Sequence, residues 1–141
     1  MKECKSWMNK HVKEGGAPVA GGFGFDQSPQ DPKKAWWTTF LGVETPVYFG
    51  AEHWAHTYDA AVVYGAVRRV GRGRYVVDFR LVEENVKALK KGHVMDRCLG
   101  ELEEEIFNAP CDWLWSHKRW KHQIPEGMKL HKRMFERTLE S

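Results

Sequence analysis

The feature that most restricts the fold is a pair of apolar, β-branched runs on either side of a short glycine turn. Residues 60–70 and 74–82 flank Gly71-Arg72-Gly73, and this pattern is typical of a β-hairpin. The first run is apolar on both faces, which predicts a more central strand. The second run alternates apolar with polar residues, which predicts a half-buried strand. Its apolar face is formed by Tyr75, Val77, Phe79 and Leu81.

Other segments carry the apolar spacing of amphipathic helices. Helices are predicted over residues 3–13, 50–59 and 95–107, and a last one beyond Pro125. The third helix has an apolar stripe that we expect in the core: Met95, Leu99, Leu102 and Ile106. The last helix is predicted from the spacing of Leu130, Met134, Phe135 and Leu139.

The segment between the first two helices is rich in glycine and proline. Residues 17–25 predict a glycine-rich strand, and residues 26–34, which include two prolines, predict a surface loop. The mixture of strands and helices therefore predicts an α/β fold.

Composition limits the chain to one domain of this class. A length of 141 residues is enough for a single core, and 42% hydrophobic with 29% charged residues is typical of a globular protein. We therefore treat residues 1–141 as one domain. The three cysteines follow no apolar leader, which predicts reduced thiols in the cytoplasm. No apolar run is long enough to span a membrane, so any membrane contact is predicted to be peripheral.

Patterns for metals and nucleotides are weak. Cys111, His117 and His122 carry zinc-binding side chains, but a structural zinc site takes four ligands and no Cys-x-x-Cys pair is present. The glycines around Phe23 lack the spacing that cradles a phosphate. We therefore predict no metal and no cofactor.

One short segment holds two imidazoles and two carboxylates, at Glu52, His53, His56 and Asp59. These groups could transfer protons if they faced a cleft. A partly exposed helix surface is the interpretation that we favour.

Residues 109–122 combine three tryptophans with histidine, lysine and arginine. Composition alone allows a cation–π cluster, a phosphate-binding patch or a nucleic-acid surface. A structural alternative is that the rings pack on a sheet edge or face while Arg119 pairs with a carboxylate. We expect that packing role to stabilise the fold.

The order of residues in this block resembles the C-terminal signature of the lipid A acyltransferases, the bacterial lauroyl and myristoyl transferases. An acidic helix end is followed by Pro110, Trp113-Leu114-Trp115, His117 and Lys118-Arg119-Trp120-Lys121. Upstream, Asp26-Gln27-Ser28-Pro29 is similar to the family's Asp-Gln-x-Pro block. Thr39-Phe40-Leu41-Gly42 and Thr45-Pro46 are similar to its next segment.

The resemblance implies a fold and a reaction. The fold would be the C-terminal half of a glycerolipid-acyltransferase-like fold, with a mixed β-sheet and flanking helices. The reaction would move a fatty acyl group from acyl carrier protein to a hydroxyl of the lipid A precursor. The family's catalytic His-x4-Asp/Glu box, which lies before the Asp-Gln block, has no counterpart before Asp26 in these residues. A literal His-x4-Glu at His131 and Glu136 follows all the other motifs, and we interpret it as chance. We therefore expect the chain to be inactive by itself.

The resemblance also implies site residues and a location. Asp26 and Gln27 would lie near the reacting groups, in a cleft. Substrate would be bound by Thr39 and Thr45 and by basic residues that suit phosphates or the acidic carrier: Arg68, Arg69, Arg72, Arg119 and Lys121. For Arg68 and Arg69 a solvated strand end is an equal alternative. The motif residues would be Trp113, Trp115, His117 and Trp120. The location would be the cytoplasmic face of the bacterial inner membrane.

Two other functions stay open. One is a non-catalytic module whose basic and aromatic surface binds an anionic membrane or acyl carrier protein. The weaker one is RNA binding, which a net charge of +3 does not require. Because half of a sheet leaves an edge and an apolar face uncovered, a homodimer is a further expectation.

Overall fold

The computed structural model describes residues 2–16 and 18–135, and over these the chain forms three α-helices and two separate β-sheets. The helices are α1 (Lys2–Lys13), α2 (Gly50–Tyr58) and α3 (His93–Asn108). The strands are β1 (Trp36–Phe40), β2 (Val43–Val47), β3 (Val62–Gly71), β4 (Arg74–Glu83) and β5 (Leu130–His131). The predicted mixed α/β class and the first three predicted helices are confirmed.

The first sheet has the strand order β2-β1-β5. Strands β1 and β2 form an antiparallel hairpin in which Trp36 faces Val47 and Phe40 faces Val43. Strand β5 pairs with the other edge of β1 in the parallel direction. The predicted mixed sheet is therefore present, although it has only three strands.

The second sheet is the predicted hairpin of β3 and β4. Its register places Val63 opposite Leu81 and Gly65 opposite Phe79. Neither of the two burial predictions is correct. Strand β3 is not a central strand, because β4 is its only partner among the described strands. The apolar face of β4 is not buried, because its side chains are exposed to solvent, Phe79 to 76%. Alternation identifies which residues share a face, but it does not say whether another element covers that face.

Helix α3 lies between the two sheets and joins both parts of the core. Val94 and Cys98 pack with the buried face of the hairpin, which includes Tyr64 and Ala66. The predicted stripe packs with β1 and β2, which confirms its core position: Met95, Leu99, Leu102 and Ile106.

Helix α2 supports the start of α3 through a buried carboxylate. Glu52 accepts hydrogen bonds from the backbone N–H groups of Gly92, at 2.5 Å, and of Met95, at 2.8 Å. These N–H groups have no partner inside the helix, so Glu52 satisfies them and complements the helix dipole.

Two predicted elements are wrong. Residues 18–25 form no strand, because they have no neighbouring strand with which to pair. Residues 130–135 form β5 and an irregular segment where a helix was predicted, because pairing with β1 outweighs the local helical spacing. Leu139 lies outside the described residues.

Candidate functional site

Two segments far apart in sequence, residues 26–29 and 113–121, are joined by Ser28. The backbone N–H of Ser28 donates to Nε2 of His117 at 3.2 Å. The Ser28 hydroxyl lies within hydrogen-bond reach of the carbonyl oxygens of Lys118, at 3.5 Å, and of Arg119. The two blocks that carry the family resemblance are therefore in direct contact.

The second block is also anchored to strand β2. The indole N–H of Trp120 donates to the hydroxyl of Thr45 at 2.9 Å, and that hydroxyl donates to the carbonyl of Val43 at 2.8 Å. Arg119 Nη1 donates to the carbonyl of Pro46 at 3.0 Å. Residues 26–29, 45–46 and 113–121 thus form one assembly, which we call the motif cluster.

Arg119 is the buried cation of the motif cluster, with 1% of its surface exposed. Its guanidinium lies 5.8 Å from the centre of the Phe40 ring. Burial lowers the pKa of Arg119 to about 10, and the negative charge of Asp26 opposes that shift. Among the side chains that the structure describes, Nε and Nη2 of Arg119 have no hydrogen-bond partner. Among the described residues Arg119 forms no ion pair with a carboxylate, which differs from the structural alternative.

Trp113, Trp115 and Trp120, which we call the tryptophan block, cover one face of β1 only in part. Phe40 is fully buried, and the rings of Trp113 and Trp120 lie 6.1 and 6.3 Å from it, centre to centre. Trp115 is 55% exposed and donates its indole N–H to the carbonyl of Pro110 at 2.7 Å. Packing on the sheet is therefore confirmed for Trp113 and Trp120 and wrong for Trp115.

A cleft of about 450 Å³ lies beside the motif cluster, between the hairpin, the end of α3 and the loop that holds Asp26. Its walls include Asp26, Arg68 and Trp113. Gln27 is exposed and is not part of the lining. The loop therefore presents Asp26 to the cleft, while Gln27 faces elsewhere.

A tyrosine and a glutamate lie together in the wall of this cleft. The Tyr64 hydroxyl donates to Oε2 of Glu105 at 3.0 Å, and burial together with the Glu105 charge raises the pKa of Tyr64. Burial is also the main cause that raises the pKa of Glu105, whose Oε1 is buried without a partner among the described residues. Tyr64 and Glu105 therefore form a hydrogen-bonded pair in the wall of the cleft, where burial favours the protonated form of the Glu105 carboxyl.

Sequence reasoning missed Tyr64 and Glu105 because it treated the glutamates of α3 as a solvated face. A signal was present, since Glu105 is three positions from Leu102 and next to Ile106, and so lies at the edge of the apolar stripe. Tyr64 could have been found as the residue that alternates onto the buried face of β3.

The remaining basic residues do not converge on one point. Arg68 lines the cleft but is paired with Asp78 at 2.7 Å. Arg69 and Arg72 are exposed near the tip of the hairpin, and Lys121 is exposed on the motif cluster. Thr39 lies on β1, where its carbonyl oxygen accepts from Arg133 at 3.0 Å.

Two groups of residues weighed in the sequence, one for metal binding and one for proton transfer, do not form such sites in the described residues. No group of side chains suited to holding a metal ion occurs in residues 2–16 and 18–135. Glu52 is buried as the helix cap, with His56 Nε2 3.6 Å away, whereas Asp59 is exposed and pairs with Lys87 at 3.2 Å. His53 is exposed, so these four residues do not face one cleft.

Comparison with known proteins supports the resemblance of these motifs. Comparisons with curated proteins and with solved structures gave no match. None of the helices in the described part of the chain has both the length and the hydropathy that crossing a membrane requires. A family model described as bacterial lipid A biosynthesis acyltransferase matches residues 10–122. Because this match covers most of the 141 residues and includes the whole motif cluster, the chain belongs to the bacterial lipid A biosynthesis acyltransferase family.

Proposed function

We propose that this chain holds and orients substrates for transfer of a fatty acyl group from acyl carrier protein to a hydroxyl of the lipid A precursor. The reaction would take place at the cytoplasmic face of the inner membrane. The chain would follow a glycerolipid-acyltransferase-like fold. The observation that carries the proposal is the contact of residues 26–29 with residues 113–121 beside a cleft.

Acyl transfer to a hydroxyl requires a general base, for which these 141 residues hold no counterpart of the family's box before Asp26. The acceptor hydroxyl must lose a proton as its oxygen attacks the thioester carbon, and the thiol of the carrier leaves. A general base accelerates such a step by about 10²–10⁴-fold. The family's His-x4-Asp/Glu box has no counterpart before Asp26 in the 141 residues. By itself the chain is therefore inactive in this proposal.

Ser28, His117 and Arg119 act as positioning residues. The hydrogen bonds of Ser28 fix the loop, and the charge of Arg119 acts on Asp26. Asp26 is thereby held at the cleft, where its carboxylate can orient a hydroxyl. Precise placement of reacting groups accounts for a large part of enzymatic acceleration.

The test is an assay of the purified chain with a lipid A precursor and with acyl carrier protein that carries a fatty acyl thioester. The assay is run with the chain by itself and with a co-expressed N-terminal half of a full-length relative. We expect turnover only with the added half. Asp26→Asn should lower that turnover at least about tenfold. Asp31→Asn is the matched control, because Asp31 lies in the same loop region and pairs with Lys34 at 3.3 Å. Turnover by the chain alone would contradict the proposal.

The exposed hairpin favours a second function, that of a non-catalytic module on an anionic membrane surface. Its apolar face, which includes Phe79 at 76% exposed, adjoins the exposed Arg69 and Arg72. Apolar side chains with nearby arginines suit the interface of an anionic bilayer.

Sedimentation with phosphatidylglycerol and with phosphatidylcholine vesicles tests this second function. We expect binding to the anionic vesicles only, and at least about fivefold less of it for Arg69→Gln/Arg72→Gln. Lys10→Gln/Lys33→Gln is the control of equal charge. Equal binding to both kinds of vesicle would contradict it. Analytical ultracentrifugation without lipid would show whether the chain forms the expected homodimer, in which a second copy would cover the same face. Binding assays with acyl carrier protein and with RNA test the two other partners considered for this chain.

A further inference from the structure

A second cavity, of about 500 Å³, lies between the β1–β5 edge of the three-stranded sheet and the first turns of α3. Its floor is apolar and includes Trp36, Met95, Leu99 and Leu130. No residue of the motif cluster lines it, and the part of its wall formed by residues 129–132 and 134 lies after the end of the family match. The cavity is therefore separate from the site described above.

The rim of this cavity carries four lysines from two segments: Lys90, Lys91, Lys129 and Lys132. All four are exposed, and in the described part of the chain none of them forms an ion pair. Four ammonium groups around one opening favour an anionic ligand.

The acidic residue of the lining, Asp96, does not neutralise this rim. Its Oδ1 accepts from Nε of Arg133, and its Oδ2 accepts from the backbone N–H groups of Met134 and Phe135. Arg133 also binds Glu103 at 3.1 Å. The carboxylate of Asp96 is therefore engaged by Arg133 and by the backbone of Met134 and Phe135, and no carboxylate of residues 2–16 and 18–135 pairs with the four lysines.

One wall of the cavity is formed by the stacked rings of Trp36 and His131. The rings of Trp36 and His131 lie 3.6 Å apart with 15° between their planes, and Phe49 stacks on Trp36 at 4.7 Å. Burial lowers the pKa of His131, and the Lys129 charge adds to that shift. At neutral pH the imidazole is therefore an uncharged part of the wall, which extends the apolar surface.

We propose that this cavity binds an anionic amphiphile, with an acyl chain on the apolar floor and a phosphate or carboxylate head group among the four lysines. Cavities of this size are typical of small-molecule sites. An apolar floor stabilises the chain by removing its surface from water, and the ammonium groups hold the head group through charge-assisted hydrogen bonds. The inference does not depend on acyl transfer, so an inactive chain can still carry this site.

Calorimetric titration of the purified chain with dodecyl phosphate, kept below its micelle concentration, tests the proposal. We expect one bound molecule per chain. Monododecanoyl glycerol, which lacks the charge, and inorganic phosphate, which lacks the chain, should each bind at least about tenfold more weakly. Sodium laurate should bind like dodecyl phosphate, because the lysines require only an anionic head group.

Paired variants locate the site. Lys91→Gln/Lys129→Gln should weaken dodecyl phosphate about tenfold, whereas Lys10→Gln/Lys33→Gln, at exposed positions outside the lining, should change it less than about twofold. Hydrogen exchange should slow in residues 90–99 and 129–134 when the amphiphile is bound. Equal losses in both double variants, equally tight binding of either partial probe, or absence of binding would overturn the proposal.

Discussion

The two β-hairpins in the described part of the chain differ in burial, and the difference is the opposite of what their sequences indicate. β1 and β2 are five residues each and yet contain the fully buried Phe40 and Val47. β3 and β4 are ten residues each, carry the stronger apolar pattern and leave one face exposed. The difference lies in what covers them, because α3 packs on the short hairpin and the tryptophan block packs on Phe40, whereas no described element lies on the outer face of the long one. Strand length and hydrophobicity therefore do not decide where the core forms.

The largest difference between the two regions is expected for their ion pairs. Arg133, beside the three-stranded sheet, is buried between Asp96 and Glu103, whereas Arg68 and Asp78 on the long hairpin are 56% and 41% exposed. Arg133→Met should cost about 3–5 kcal/mol of unfolding free energy, because it leaves two carboxylates buried without their cation. Arg68→Met should cost less than about 1 kcal/mol. Urea unfolding of both variants measures this, and equal losses would contradict it.

Alanine substitutions of Phe40 and Phe79 should differ in unfolding free energy by nearly as much as the two arginine variants do. Phe40→Ala removes a fully buried ring and should cost about 3–5 kcal/mol. Phe79→Ala should cost less than about 1 kcal/mol, because its ring is 76% exposed and lies over Gly65 of the neighbouring strand. Thermal and urea unfolding should rank the two in this order, and a larger loss for Phe79→Ala would indicate that the outer face is covered in solution.

The tryptophan block should show the same contrast on a smaller scale. Trp113→Ala removes a partly buried ring from Phe40 and should cost about 2 kcal/mol. Trp115→Ala should cost less than about 1 kcal/mol, since that ring is 55% exposed. The urea midpoints of the two variants give the comparison. A midpoint for Trp113→Ala that matches the unmodified chain would remove the argument that this ring stabilises the sheet.

The smallest effect is a pH dependence at the cleft between the hairpin and α3. Burial raises the pKa of Glu105 above its ordinary value of 4.5, so the folded state favours the protonated carboxyl. Its favourable contribution is present below the unfolded pKa and is lost as the pH rises through the folded pKa. Glu105→Gln, which mimics the protonated form, should therefore gain stability relative to the unmodified chain as the pH rises from 4 to 7. Glu104→Gln, on an exposed neighbour, is the control and should show less of this trend.

Local patterns predicted the elements whose partners are close in sequence. The spacing of Met95, Leu99 and Leu102 was sufficient for α3, and the glycine turn was sufficient for the long hairpin. The failures involve contacts between distant residues. The helical spacing from Leu130 was overridden by pairing with Trp37, 93 positions earlier.

The candidate site divides in the same manner. The motif residues were identified from their order in the sequence, but the contact of Ser28 with His117 was not predicted, because it joins residues 89 positions apart. Glu105 and Tyr64 were missed, because their burial depends on how α3 meets β3. The burial of Arg119 against Pro46 could not be inferred, since basic residues are exposed in most proteins.

The parallel pairing of β5 with β1 also predicts an order of events during folding. The Thr38 hydroxyl donates to the carbonyl of His131, 93 positions away, so this contact closes a long loop and carries a larger entropic cost than a turn does. The long hairpin needs only a turn between Gly71 and Arg74, and such hairpins form in about 1–10 μs. We therefore expect the less buried hairpin to form first and the better packed sheet to complete last. Pulsed hydrogen exchange during refolding should protect the amides of residues 63–67 before those of residues 37 and 38, and the reverse order would show that the distant contact initiates folding.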